Sequence, residues 1–160
     1  MKRWIILTLL GVVLLLLVAC GQSADTNTPP EIMYGQDVCD QCGMIISEEK
    51  FAAAYWTVDG EARRFDDIGG MFAYIAANPE EAASYWVHDI TTGDWIRAEE
   101  AYYVSDSDLM TPMGFGIAAC ATEDQAQALA YGKENVMVMS FAKMLSSSKA
   151  MDEMQDDHSG

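Results

Sequence analysis

Eight consecutive residues, Cys39-Asp40-Gln41-Cys42-Gly43-Met44-Ile45-Ile46, gather two thiols and a thioether around a glycine. Thiolate and thioether are soft donors that favour Cu(I) over hard cations. Cys42 and Met44 stand two positions apart, so in an extended segment both face the same side and can reach one ion. Gly43 between them allows a close backbone approach. The plainer reading of Met44 is a filler of irregular core gaps. Structural zinc takes four ligands, usually from a second CxxC or a closely spaced histidine pair. Only Cys120, His88 and His158 remain for that role, so the pattern speaks against zinc. A redox dithiol is the competing chemistry, and it needs Cys39 and Cys42 at the start of a helix. Gly43-Met44-Ile45-Ile46 starts a helix poorly, and residues 32–38 make a weak strand before it.

A second soft donor lies in Thr111-Pro112-Met113-Gly114-Phe115-Gly116. Pro112 fixes its own φ and turns Thr111 away from the helical region. Met113 is therefore presented at a rigid bend entering a strand, although packing is the common use of such a residue. Further candidate ligands are Cys39, His88, Met137 and Met139, with Met71, Met151, Met154 and His158 behind them. Each has a structural alternative. Met71 falls inside a helix, His88 reads as a strand-surface histidine, and Cys120 ends an apolar strand as an inert thiol. Met137 and Met139 alternate with Val136 and Val138, a strand that could be buried on both faces. Asp66, a hard donor, is better explained as a helix cap than as a copper ligand.

The elements that must position these residues follow from local patterns. Residues 51–58 read as a strand ending at Asp59-Gly60, and 62–65 continue beyond that hairpin turn. Asp66-Asp67 cap a helix from Ile68 to about Ala77, closed by Asn78-Pro79. Residues 85–90, 100–104, 114–120 and 135–141 read as further strands. Thr122-Glu123-Asp124 open a second helix ending near Tyr131 and Gly132, and 142–145 add a helical turn. Strand, strand, helix, strand thus occurs twice. This predicts an α+β fold of two similar ββαβ units, 37–92 and 93–145, packed into one domain because neither can bury its own sheet face.

The ends carry their own information. Residues 1–19 have the charged start and apolar run of a signal peptide. Leu17-Val18-Ala19-Cys20 resembles a bacterial lipobox, which makes Cys20 the lipidated N-terminus of the mature chain. Lipid chains there hold the protein on a membrane surface. Residues 20–36 read as a flexible tether and 146–160 as a disordered acidic tail. The net charge of −16 offers no basic footprint for nucleic acid. Beyond Cys20 the thiols are Cys39, Cys42 and Cys120, an odd number that rules out complete disulfide pairing in a monomer.

Taken together, CxxCGM near the mature N-terminus, Phe65-Asp66-Asp67-Ile68-Gly69 midway and Thr111-Pro112-Met113-Gly114 later resemble the NosL family over about residues 37–145. The lipobox agrees with that resemblance. It implies a lipid-anchored, extracytoplasmic Cu(I) chaperone for nitrous oxide reductase, a carrier and not an enzyme. Cys42, Met44 and Met113 are the implied ligands, and repeated ββαβ units are the implied fold. Its partners would be the copper ion, the membrane, the accepting enzyme and a membrane copper transporter. Several members carry a histidine after the Met-Gly pair as a further ligand, where this chain has Phe115. A low coordination number suits a carrier, because the acceptor can add a ligand before the donor lets go.

Overall fold

Small and aromatic residues, Ala53-Ala54-Tyr55-Trp56-Thr57, form the central strand of the first sheet. Strand β1 (Ala53–Thr57) buries both faces and lies antiparallel between β2 (Ala62–Phe65) and β3 (Ala82–His88). The computed structural model describes residues 25–156. The signal-peptide and Cys20 readings lie outside the described residues, as do residues 157–160. A short strand not expected from the sequence, β4 (Trp95–Arg97), completes the sheet in the order β2-β1-β3-β4. The second sheet has β5 (Tyr102–Ser105) between β6 (Ile117–Cys120) and β7 (Met137–Ser140), again antiparallel. A parallel bridge between Asp89 and Ala119 joins the two sheets. The Asp89 carboxylate strengthens this joint by accepting the Ala121 N–H at 2.7 Å.

Among the described residues, three α-helices accompany the sheets. Helix α1 (Ile68–Ala77) starts at Asp67, whose side chain accepts the Gly69 N–H, and Asn78 ends it before Pro79. Helix α2 (Glu123–Ala130) starts with a capping box, in which Thr122 and Gln125 each satisfy the other's backbone N–H. Helix α3 (Phe141–Asp156) follows β7 directly. Ser140, the last residue of β7, accepts the Lys143 N–H with its hydroxyl. The main core gathers β1, β3, α1 and the start of α3 around Phe65, Phe72, Tyr55 and Tyr103. Phe72 meets both Tyr103 and Phe141 at ring-centroid distances of 5.3–5.4 Å. A smaller cluster of Val104, Cys120 and Ala126 lies under α2.

Two sequence expectations change at the ends of the domain. Residues 146–156 are not a disordered tail, because α3 continues through them and Ser148 is buried. Residues 28–36 are not a free tether either. Trp56 Nε1 donates to the Thr28 carbonyl at 2.8 Å, Arg64 Nε donates to that of Glu31 at 2.7 Å, and Pro30 is buried. Polar composition suggested solvation, but the sheet supplies donors that hold this segment down.

Candidate metal centre

The Cys39–Met44 segment closes into a tight loop. The Cys39 N–H donates to the Met44 carbonyl at 2.8 Å, and the Gly43 N–H donates to the Cys39 carbonyl at 2.9 Å. Val38 and Ile45 pair across its base. Gly43 has φ +72°, a conformation that costs an L-residue roughly 1–2 kcal/mol. The segment is therefore not extended, and the same-side argument for Cys42 and Met44 does not hold. Loop closure relates them instead, through the hydrogen bond from the Cys39 N–H to the Met44 carbonyl. Asp40 fixes the loop beside β2: its N–H donates to the Arg64 carbonyl at 2.9 Å, and its carboxylate accepts the Arg64 N–H at 2.6 Å. Met44 is 52% exposed, so it fills no core gap. Cys39 is buried.

The Cys42 thiol is pushed above its ordinary pKa, first by burial and then by the neighbouring Cys39 thiol and Asp66 carboxylate. The Met44 N–H opposes that rise without cancelling it. Such a thiol is protonated at neutral pH and gives up its proton when a metal binds.

Met113 reaches the same region through the start of α1. Asp67 is fully buried, and its second carboxylate oxygen accepts the Thr111 hydroxyl at 2.6 Å and the Met113 N–H at 3.1 Å. Its neighbour Asp66 accepts the Ser47 N–H at 3.0 Å, at the exit of the Cys39–Ile46 stretch. Two consecutive carboxylates thus fasten the two sulfur motifs to one helix start. Asp67, not Asp66, is the N-cap, and Asp66 serves the loop. Cys42 and Met113 both pack against the core cluster that contains Ile68 and Met71.

The first turn of α1 is bare of side chains where Met113 and Phe115 lie on it. A Cβ at Gly70 would stand 2.9 Å from the Met113 sulfur, and one at Gly69 would overlap the Phe115 ring. Both glycines occupy the first turn of a helix, where each costs about 1 kcal/mol relative to alanine. That local cost is the signal in the sequence for a close approach. Asp67's second role gave no such signal, because its capping use already accounted for it.

The other candidate ligands separate clearly. His88 is buried and is not a strand-surface residue. Its Nε2 meets the Tyr34 hydroxyl at 2.9 Å, its Nδ1 meets the Gly93 carbonyl at 2.7 Å, and its ring lies against Trp95. Both nitrogens are thus occupied. Met71 is buried in the core, and Cys120 is buried with its thiol pushed up to about 11 by burial and by Asp89. β7 is not buried on both faces: Met137 is 57% exposed, and Met139 is half-buried. Met151 and Met154 are exposed on α3, and His158 lies outside the described residues. Among the described residues, no three His, Cys, Asp or Glu side chains cluster as a metal site. Phe115 packs on Gly69 and brings no donor to such a site.

Comparison with known proteins gives a consistent result. The NosL family model matches residues 30–148. The copper-binding lipoprotein NosL of Stutzerimonas stutzeri is 30% identical over 137 residues, covering 77% of this chain and 72% of that protein. The crystal structure of the copper chaperone NosL from Shewanella denitrificans matches with a TM-score of 0.59 at 19% identity, over 71% of this chain and 92% of that one. This last likeness establishes a shared fold of antiparallel sheets and helices.

Proposed function

Because this chain belongs to the NosL family, we propose that it is a membrane-anchored metallochaperone on the outer side of the cytoplasmic membrane. It holds one Cu(I) ion through Cys42, Met44 and Met113 and passes the ion to a copper enzyme. The observation that carries this reading is the Asp66-Asp67 pair, which ties the Cys-Gly-Met loop and the Met113 bend to adjacent residues of one helix start. Soft sulfur donors from two fixed loops form a site of low coordination number, which leaves room for an acceptor's ligand. Anchorage through lipidated Cys20 fits the name lipoprotein given to the Stutzerimonas stutzeri relative. None of the described helices is long and apolar enough to cross a membrane. Nitrous oxide reductase is the acceptor that the family resemblance implies, with a membrane copper transporter as the donor. The two sheets also favour an origin by duplication, since each places the first strand of a ββαβ unit between the other two.

A thiol-disulfide oxidoreductase using Cys39 and Cys42 is the rival reading. Catalytic thiols of that kind have depressed pKa values at a helix start. Here Cys39 is 2% exposed, no helix begins at Cys42, and the Cys42 thiol is pushed upward.

Anaerobic titration with Cu(I) against a chromogenic chelator tests the proposal. Cys42→Ser and Met113→Ala should each weaken the tightest site by at least about 100-fold, the upper end of the loss of an outer-shell partner. Cys39→Ser should leave it within a few-fold of wild type, whereas it would abolish dithiol activity. Wild-type affinity in both Cys42→Ser and Met113→Ala would refute the assignment.

A further inference from the structure

β7 distributes its side chains by chemistry. Val136 and Val138 pack against the small cluster of Val104, Cys120 and Ala126. Met137 and Met139, on the opposite face, line a cleft of about 660 Å³ beside α1 and α3. Helix α3 adds Met144 and Met151, seven residues apart and hence two turns along one helix face. Four thioethers therefore line one cleft.

Packing alone does not account for them. Met144 is buried, but Met137 is 57% and Met151 is 51% exposed, so two large apolar side chains stand open at the cleft. Among the described residues, no lysine or arginine lines the cleft to repel a cation, and its polar lining includes the uncharged Ser147 and Ser148. The cleft also adjoins the centre described above. Gln41, Gly114 and Phe115, chain neighbours of Cys42 and Met113, share its lining with the methionines.

We propose that this cleft is a second Cu(I) site, formed by the thioethers of Met137, Met139 and Met151 with Met144 at its base. Thioethers are soft, neutral donors suited to Cu(I). Without an anionic thiolate this site binds more weakly than the Cys42 centre. It also releases no proton, so its affinity is independent of pH near neutrality. Its shared lining with the neighbours of Cys42 and Met113 makes the cleft a staging point for an ion on its way to the acceptor. The proposal relies on the copper reading of the first site only for the choice of metal.

The test is an anaerobic Cu(I) titration of the full chain at pH 6 and pH 8, repeated on Cys42→Ser and on the triple variant Met137→Leu/Met139→Leu/Met151→Leu. Wild type should take up two equivalents, with the tighter phase gaining affinity from pH 6 to pH 8 and the weaker phase unchanged. The triple variant should lose only the weaker equivalent, and Cys42→Ser only the tighter one. If Cys42→Ser has no effect while the triple variant loses one equivalent, the first site fails and the second stands. A single equivalent in wild type, or two retained in the triple variant, overturns the proposal. A single equivalent weakened by both variants means one shared centre, which equally overturns it. Methyl-labelled methionine NMR on wild type removes any dependence on the variants' folding. The second equivalent must shift the Met137, Met139 and Met151 methyl signals, and unshifted signals overturn the site. Shifts produced only by a protein partner would identify a docking face instead.

Discussion

Gly70 illustrates at the scale of one residue how a missing side chain positions a sulfur. Its bare Cα lets the Met113 sulfur lie against the first turn of α1, where a Cβ would come within 2.9 Å. Gly70→Ala should raise intrinsic helix stability by up to about 1 kcal/mol, while pushing the flexible end of Met113 out of place. Chemical denaturation should show unchanged or increased stability, and Cu(I) competition should show weakened binding. Loss of both together would mean that the helix, not the sulfur, had been disturbed. The helix start itself was legible in the sequence, because Asp67 has the side chain a cap requires. Its grip on Thr111 and Met113 was not, because a carboxylate's second oxygen finds its donor only when a distant segment folds against it. Gly43 was read correctly as a place of backbone freedom, but for a left-handed turn and not for an extended strand.

Elements behaved according to how locally they were encoded. β2 and α1 fall where turn and cap residues place them, and α2 opens at its capping box. α3 is the instructive difference. Its Ser-rich, acidic sequence has little apolar periodicity, yet its first half packs on α1 through Met144 and Leu145, with Ser148 buried beyond them. Tertiary contact stabilises a helix that propensity alone leaves marginal. Deleting residues 146–160 should therefore lower the thermal midpoint by several degrees, since a loss of about 1 kcal/mol shifts a domain of this size by roughly 2–8 °C. Differential scanning calorimetry checks this, and an unchanged midpoint would restore the free-tail reading. β4 escaped notice because three residues carry too little pattern.

For the whole molecule, buried titratable groups set the response to acid. Burial holds the His88 pKa below its ordinary value, against the opposing pull of the Gly93 carbonyl and nearby carboxylates. The folded protein keeps His88 neutral, so below about pH 6.5 the unfolded chain binds the extra proton more readily. Stability from this residue is complete above that pH and is lost as pH falls through the folded value. Glu80 is held low by its hydrogen bonds from Arg63. Asp89 is raised by burial but lowered overall by the Ala121, Thr92 and Thr91 N–H groups. These carboxylates contribute above their unfolded pKa values and lose that contribution at lower pH, below about 4.5. Thermal midpoints should be level above pH 7, decline from about pH 6.5 and fall further below pH 4.5. High salt keeps relief of the −16 charge from masking the decline. A level midpoint between pH 7 and 5 would remove His88 from this account.

The sequence by itself supplied the candidate donors, the helix caps and most of the elements, because residue chemistry, 3.6- and 2-residue periodicities and turn preferences are all local. It also narrowed the site to sulfur, since no second thiol pair or paired histidines were present. Only the tertiary structure decided which sulfurs share a neighbourhood. It withdrew His88 into a hydrogen-bonded core, exposed Met137 on an edge strand and fixed the Cys42 and Met113 segments to one helix start through Asp66 and Asp67. Burial and long-range hydrogen bonds depend on how sheets and helices pack, and that packing belongs to no single segment of the chain.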